Sequence, residues 1–171
     1  MSQNKQTRRL IYLSLLIAMN IVFVRLLSFQ TPVTRLDFGF VPISLAGALF
    51  GPFWGALAGG ASDILGMLVN SKGMAYFFPW TLNAVLHGFF YGLFLYRKQK
   101  TWLRIISCVM IQGIFVNLLL GSIWATIYRG NWQLFPVVMG ERLLMVVITV
   151  PVQILVIQLL CRVLKPHIKE L

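Results

Sequence analysis

The sequence predicts an all-α membrane protein with six transmembrane helices. Of its 171 residues, 58% are hydrophobic and only 11% are charged. Apolar runs of about 20 residues recur along the chain, and a helix of that length crosses a hydrocarbon core roughly 30 Å thick. Most Lys and Arg residues lie at the ends of these runs, where basic residues set the orientation of a membrane protein. Because no Gly-rich or Ser-rich linker divides the chain, we expect one integral membrane domain over residues 1–171.

The first apolar run follows a basic N-terminus, "MSQNKQTRRL". It resembles a signal peptide, but no small-residue cleavage pattern follows it, so we interpret it as a retained first span. The number of later spans depends on "LFGPFWG", in which Gly51-Pro52 predicts a break between two helices. The second span is then short, and we expect it to be tilted or to begin within an ordered loop. The predicted spans are about 10–27, 38–50, 53–69, 76–96, 105–128 and 135–164.

The distribution of basic residues favours six spans over five. With six spans and a cytoplasmic N-terminus, ten of the fifteen Lys and Arg residues lie on the cytoplasmic side, whereas five spans would leave only six there. We therefore expect both termini in the cytoplasm. The net charge of +11 does not indicate nucleic-acid binding, since no soluble basic domain is present.

Charged residues in the outer half of the predicted bilayer point to a ligand. An ionisable group inside a membrane usually faces protein or a water-filled cavity. Three outer acids, Asp37, Asp63 and Glu141, are too few to neutralise the outer cations, so an anionic ligand would balance the surplus. The alternative is internal pairing, for example of Asp63 with Arg25, that only holds helices together. The outer cations are Arg25, Arg35, Lys72, Arg129 and Arg142.

Polar and aromatic residues recur at helical spacing in three predicted spans, so each set would share one face. Trp and Tyr rings stack on planar heterocycles, and arginine binds carboxylates through two parallel hydrogen bonds. The three faces together predict an outward-facing pocket for a flat, anionic ligand. Taken singly, these residues could instead be interfacial aromatics, interhelical hydrogen-bonding groups or an interior histidine. The sets are Tyr76, Trp80, Asn83 and His87; Asn117, Gly121, Trp124 and Tyr128; and Arg142, Thr149 and Gln153.

The chain has no motif for catalysis. It contains no phosphate-binding loop, no HExxH pattern and no GxSxG elbow, so we expect no enzyme activity, no catalytic residues and no cofactor. Cys108 and Cys161 lie in apolar runs and form neither a disulfide framework nor a metal site. Small residues at Ser14-xxx-Ala18 and Gly55-xxx-Gly59 allow close helix packing, either within the chain or on a partner.

The block "RLDFGFVPISLAGALFGPFWGALAGGASDILGMLV", residues 35–69, carries a family resemblance together with the basic loop "YRKQK". The chain is similar to the substrate-binding S components of energy-coupling factor (ECF) vitamin transporters, and most like their folate-specific members. The resemblance implies a six-helix bundle with an outward-facing pocket, and as partners a transmembrane coupling subunit of the EcfT type and two cytoplasmic ATPases. It also implies that the first helix meets the coupling subunit through an Ala-xxx-Ala motif, for which Ser14-xxx-Ala18 is the nearest match.

Residue chemistry then suggests individual roles toward folate. We expect Asp63 or Asn83 to contact the edge of the pterin, and Trp80 and Trp124 to contact the rings. Arg35 and Asp37 would anchor a first gate loop that includes Gly39, with Phe38 closing over the ligand, and Lys72 and Gly73 would belong to a second. A cationic rim would bind the glutamate end: Arg25, Arg35, Lys72 and Arg142. The remaining predicted ligand contacts are Tyr76, His87 and Asn117.

The predicted mechanism is capture of folate at the outer face, ordering of the outer loops, and ATP-driven release by the partner subunits. Two alternatives stay open at the level of sequence. One is an S component for riboflavin, thiamine or a queuine-like base. The other is a structural membrane scaffold subunit, which would need no cavity.

Overall fold

Six helices make up most of the described chain, as predicted. The computed structural model describes residues 2–26, 28–30, 35–71, 73, 75–98 and 101–164. The helices are α1 (Ser2–Arg25), α2 (Phe40–Phe50), α3 (Pro52–Val69), α4 (Phe78–Leu95), α5 (Trp102–Arg129) and α6 (Phe135–Leu164).

A short strand pair follows α1, in a segment that the sequence analysis had treated only as a loop. Strands β1 (Phe29–Gln30) and β2 (Arg35–Leu36) are antiparallel, with Phe29 opposite Leu36 and Gln30 opposite Arg35. Two-residue strands are too short to show the alternation by which a strand is recognised in a sequence. The description of β1 and β2 covers their backbone and not their side chains.

The chain divides into two compact units. The first comprises Met1–Ser28 and Asp37–Arg97, and thus α1 to α4. The second comprises Phe29–Leu36 and Lys98–Leu171, and thus the strand pair, α5 and α6. That the chain forms a single domain, with the span limits given above, stays a prediction.

In the first unit, α2 and α3 are separated by the break expected at Gly51-Pro52. Gly51 has a φ of 98°, a conformation that favours glycine, and Pro52 occupies the first turn of α3. The sequence-based preference for two helices over one was therefore correct.

Helices α3 and α4 approach so closely that their backbones touch. A Cβ at Gly59 would lie 2.8 Å from the carbonyl carbon of Ala84, and a Cβ at Gly55 would meet the carbonyl oxygen of Gly88. The Gly55-xxx-Gly59 pattern therefore serves packing within this unit, which decides between the two roles that the sequence left open.

The second unit contains a π-helical stretch inside α5. It covers Gln112–Leu120, between α-helical turns at Trp102–Ile111 and Gly121–Arg129. Helix α6 is continuous through Pro151. A Cβ at Gly113 of α5 would lie 3.0 Å from the Val150 side chain, so glycine permits the contact between α5 and α6 here.

In the part of the chain that the structure describes, four segments are long and apolar enough to cross a membrane: Gln6–Arg25, Pro52–Val69, Trp102–Arg129 and Trp132–Arg162. Helix α2 is a shorter apolar helix. Large apolar side chains such as Leu103, Leu144 and Leu155 are exposed along these helices, as expected for surfaces that contact lipid. The protein is an integral membrane protein.

Candidate ligand-binding site

A buried ion pair joins the end of α1 to α3 in the first unit. The Arg25 side chain is almost fully buried, and its Nη2 lies 3.7 Å from Asp63 Oδ1. The same nitrogen donates to the backbone oxygen of Asp63 at 3.5 Å. Gly66 makes room for the guanidinium, because a Cβ there would lie 2.8 Å from Arg25 Nε. Arg25 thus forms the internal pair that the sequence analysis held as an alternative, and it lies inside the unit rather than on a rim.

Two hydroxyl groups extend this ion pair. Thr81 Oγ1 donates to Asp63 Oδ2 at 2.8 Å. The Tyr76 hydroxyl lies 2.9 Å from Thr81 Oγ1, and since the single proton of Thr81 is used for Asp63, Tyr76 must be the donor. We call Arg25, Asp63, Thr81 and Tyr76 the Asp63 network. It connects α1, α3, α4 and the segment before α4.

Thr81 was missed by the sequence analysis. It is buried in the first turns of α4, and it is the residue through which Tyr76 reaches Asp63. A hydroxyl residue near the start of an otherwise apolar span was the available signal, because a buried hydroxyl needs a hydrogen-bond partner.

The predicted stripe on the fourth span is partly wrong. Helix α4 begins at Phe78, so Tyr76 precedes the helix and does not share a helical face with the other three residues. Trp80, Asn83 and His87 do lie on α4, and all three are half-buried. The Trp80 ring packs edge-on against Phe77, with centroids 5.5 Å apart.

A shallow apolar cavity of about 380 Å³ lies beside the Asp63 network in the first unit. This volume is within the range of small-molecule pockets, roughly 300–1,000 Å³. Tyr76 belongs to both the cavity wall and the network, so its ring faces apolar surroundings while its hydroxyl reaches Thr81. The cavity is lined by Ile64, Met67, Leu68, Ser71 and Tyr76.

The turn that enters α2 is held against α1. Asp37 Oδ1 accepts a hydrogen bond from the Gly39 backbone N–H at 2.9 Å. Gly39 packs so tightly on α1 that a Cβ there would lie 2.7 Å from Asn20 Oδ1. Phe38, between Asp37 and Gly39 in the sequence, is 49% exposed, and the centroid of its ring lies 6.3 Å from that of Phe40. The exposed ring is available to a ligand, although its predicted closing movement stays a prediction.

Two predicted cations cannot be placed. Arg35 belongs to β2, but its side chain lies outside the description, and Lys72 lies outside the described residues altogether. Gly73, predicted in the same gate loop, has a φ of 76° and open space around its Cα. The glycine is explained by this backbone conformation, which other residues rarely adopt.

In the second unit, the predicted ligand contact Arg142 on α6 packs against α5. Its Nη1 donates to the backbone oxygen of Asn117 at 3.3 Å, and the guanidinium lies directly over Gly121, where no Cβ would fit. Its Nε is buried and has no hydrogen-bond partner among the described residues. A guanidinium held in this way can still donate to an anion.

The predicted stripe on the fifth span assumed a regular α-helix, and this assumption is wrong. Asn117 lies in the π-helical stretch, where i→i+5 hydrogen bonds widen the turn and change which side chains align. Trp124 is half-buried and Tyr128 is exposed, both in the α-helical turns that follow. π-helical turns are frequent at functional sites, which fits the position of Asn117 beside Arg142.

Ser14 and Ala18 share an exposed face of α1. Their small side chains would let another helix approach closely. The contact with a coupling subunit stays a prediction.

The apolar helices with charged groups inside them define an integral membrane protein with a candidate ligand site. The chain belongs to the substrate-specific components of ECF transporters, since the model of the family "ECF transporter, substrate-specific component" matches residues 8–161.

Two curated relatives are described as "Folate transporter FolT". The protein from Clostridium novyi (strain NT) is 38% identical over 153 residues, which cover 90% of this chain and 87% of the relative. The protein from Leuconostoc mesenteroides is 29% identical over 152 residues, covering 86% and 81%.

Solved structures show the same fold. A crystal structure of FolT bound with folic acid superposes with a TM-score of 0.82 at 34% identity, covering 87% of this chain and 91% of that one. An S component of a bacterial ECF transporter superposes with a TM-score of 0.63 at 23% identity, covering 94% and 99%. The second similarity concerns the fold alone.

Proposed function

We propose that this chain is the folate-binding subunit of an ECF-type ABC importer in a bacterial plasma membrane. The observation that carries the proposal is the similarity to FolT, whose crystal structure contains folic acid, at 34% identity and a TM-score of 0.82. Both termini would be cytoplasmic, as the distribution of basic residues indicates, and folate would be captured from the outer side.

The Asp63 network offers acceptors for the pterin of folate. A carboxylate has about four lone-pair positions on its two oxygens. Thr81 uses one on Oδ2, and Arg25 lies beside Oδ1 at the long distance of 3.7 Å, so acceptor capacity remains. The Asp63 side chain is 16% exposed, which leaves it reachable. Adjacent N–H groups on the pterin edge match two such acceptors.

Arg142 offers donors for the glutamate end of folate. A guanidinium has five N–H donors, and the Nε of Arg142 is without a partner among the described residues. Carboxylates bind guanidinium groups through two parallel hydrogen bonds, and these strengthen where water is excluded. A carboxylate of folate would therefore satisfy the buried Nε and balance the charge.

Transport requires partners of the kinds the family resemblance implies, a coupling subunit of the EcfT type and two cytoplasmic ATPases. Folate binding shifts the outer loops toward a closed form, and it does so only to the extent that folate binds that form more tightly. The isolated chain should therefore bind folate without ATP and transport nothing alone.

Titration calorimetry of the purified chain in detergent tests the proposal. The ligands are folate, pteroate (which lacks the glutamate), riboflavin and thiamine, and circular dichroism checks that the fold is intact. Folate should bind most tightly. The variant Arg142→Ala should weaken folate binding by about tenfold or more, the loss of roughly 1.5–3 kcal/mol for a charged hydrogen bond.

Pteroate binding should change less than folate binding in Arg142→Ala, because pteroate lacks both glutamate carboxylates and keeps only its benzoate carboxylate. Arg162→Ala is the matched control, since it removes an exposed arginine from the opposite end of α6, the helix that carries Arg142. Absence of folate binding by the folded chain would refute the proposal. Equal or tighter binding of riboflavin or thiamine would instead favour an S component for another vitamin.

A further inference from the structure

A cluster of arginines and aromatic rings lies at the end of the first unit that is remote from the Asp63 network. The Arg9 guanidinium lies over the Trp54 ring at 5.6 Å. Two similar pairs are Arg8 over Tyr12 at 5.6 Å and Arg97 over Tyr96 at 5.2 Å. We call these six residues the Arg9 cluster.

The cluster is built from three helices that meet at this end. Trp54 lies in the first turn of α3, just after Gly51. A Cβ at Gly51 would lie 3.3 Å from the ring of Tyr96, so the end of α4 packs on the start of α3. Arg9 brings the start of α1 to the same place. Trp54 and Tyr96 therefore both lie beside the turn at Gly51, where α2 ends and α3 begins.

The acids of the first unit's described residues, Asp37 and Asp63, lie at its other end. Asp63 pairs with Arg25, and Asp37 binds the Gly39 turn that packs on Asn20. Helix α1 rises about 24 Å between Arg9 and Arg25, which is more than two Debye lengths at physiological salt. Neither acid among the described residues of this unit therefore neutralises the Arg9 cluster, which leaves its charge available to an anionic ligand.

Apolar groups adjoin the cations. The Phe53 ring packs edge-on against Trp54, with centroids 5.8 Å apart, and is 70% exposed. Leu10 and Ile11, next to Arg9 in α1, are exposed as well. A ligand that fits both features carries a negative charge next to hydrocarbon chains.

We infer that the Arg9 cluster binds an anionic phospholipid. The aromatic rings hold one face of each guanidinium, which leaves the N–H groups at its edge for the phosphate oxygens. The acyl chains would extend along Phe53 and the neighbouring apolar surface of α1. The position at the end of α1 and α3 corresponds to the headgroup level of a bilayer, since each helix contains a segment long and apolar enough to cross the hydrocarbon core.

Native mass spectrometry tests this inference. The chain is reconstituted in nanodiscs with equal amounts of phosphatidylglycerol and phosphatidylethanolamine, and the lipids that remain bound on release are counted. Phosphatidylglycerol should be enriched, and Arg9→Gln should lower the enrichment about fivefold, the effect of one basic residue near an anionic lipid. Trp54→Leu, which keeps every charge, should also lower it.

Arg162→Gln is the control, because it removes an exposed cation from the end of α6 in the second unit and changes no residue of the Arg9 cluster. It should leave the enrichment unchanged, and circular dichroism should show intact helices in all variants. The inference is overturned if phosphatidylglycerol is not enriched, or if Arg162→Gln acts as strongly as Arg9→Gln. It is also overturned if glycerol 3-phosphate displaces the lipid at equal concentration, or if Arg9→Gln blocks assembly with a coupling subunit but leaves lipid binding intact.

Discussion

Replacement of Gly59 by alanine should disturb the candidate site from one turn away. Gly59 lies where α3 touches α4, and Asp63 follows one turn later on α3. A Cβ at Gly59 would overlap the carbonyl oxygen of Ala84 and would lie 2.8 Å from its carbonyl carbon. Both atoms belong to the α4 backbone and cannot rotate away. The two helices would have to move apart to restore an ordinary contact of at least 3.4 Å.

The size of the effect follows from this geometry. Because the carbonyl oxygen of Ala84 is closer still, the separation that clears it takes the 2.8 Å hydrogen bond between Thr81 and Asp63 to the limit of hydrogen-bonding distance or beyond. Overpacking costs about 1–3 kcal/mol, and alanine returns up to about 1 kcal/mol through its higher helix propensity. A weakened hydrogen bond to a carboxylate adds about 1.5–3 kcal/mol at most. We expect Gly59→Ala to lower the free energy of unfolding by about 1–5 kcal/mol and the affinity for folate by about tenfold or more.

The assay pairs thermal unfolding in detergent with folate calorimetry. Gly60→Ala is the matched control, since it makes the same chemical change on the same helix. A Cβ at Gly60 meets only a methyl group of Val85, at 2.9 Å, and that side chain can adjust. Equal melting temperatures and equal folate affinities for the two variants would refute the claim that backbone contact between α3 and α4 sets the site.

Two further predictions concern folate binding and assembly with the partner subunits. Tyr76→Phe removes the hydroxyl that donates to Thr81 and should weaken folate binding about two- to tenfold in calorimetry, the effect of one hydrogen bond. Tyr12→Phe is the control and should leave folate binding unchanged. Equal effects of the two variants would contradict the role of the Asp63 network. The double variant Ser14→Leu, Ala18→Leu should abolish co-purification with the coupling and ATPase subunits, because bulky side chains prevent close helix approach. Folate binding should stay intact. Assembly that survives this double change would show that the face of α1 is not the docking surface.

The helices could be predicted from the sequence because their signals are local. Span length, the Gly51-Pro52 break and the basic ends of the spans each depend on a few neighbouring residues. The strand pair could not, since β1 and β2 are defined by pairing with each other rather than by their own two residues. The π-helical stretch could not either, because "QGIFVNLLL" contains no helix breaker and reads as an ordinary apolar run.

The sequence predicted which charged residues belong to the candidate site but not which residues they contact. Asp63 and Arg25 were found from the cost of placing charges in a membrane, but sequence alone could not decide whether they bind a ligand or each other. Thr81 was overlooked because its role depends on contacts with Asp63 and Tyr76, which are distant or outside its helix. Tyr76 was placed on the wrong element because α4 starts two residues later.

The ion pair changes how the charges of the proposed site are assigned. Arg25 is 3% exposed and pairs with Asp63, so withdrawing it to bind a folate carboxylate would leave Asp63 unbalanced. Breaking a buried pair in this way costs about 3–5 kcal/mol, more than one new carboxylate contact returns. Arg25 therefore balances the charge of Asp63 within the first unit, and the Asp63 oxygens stay the acceptors that we propose for the pterin. In the second unit, the Nε of Arg142 has no hydrogen-bond partner among the described residues, and Arg142 stays our prediction for the residue that binds the glutamate of folate.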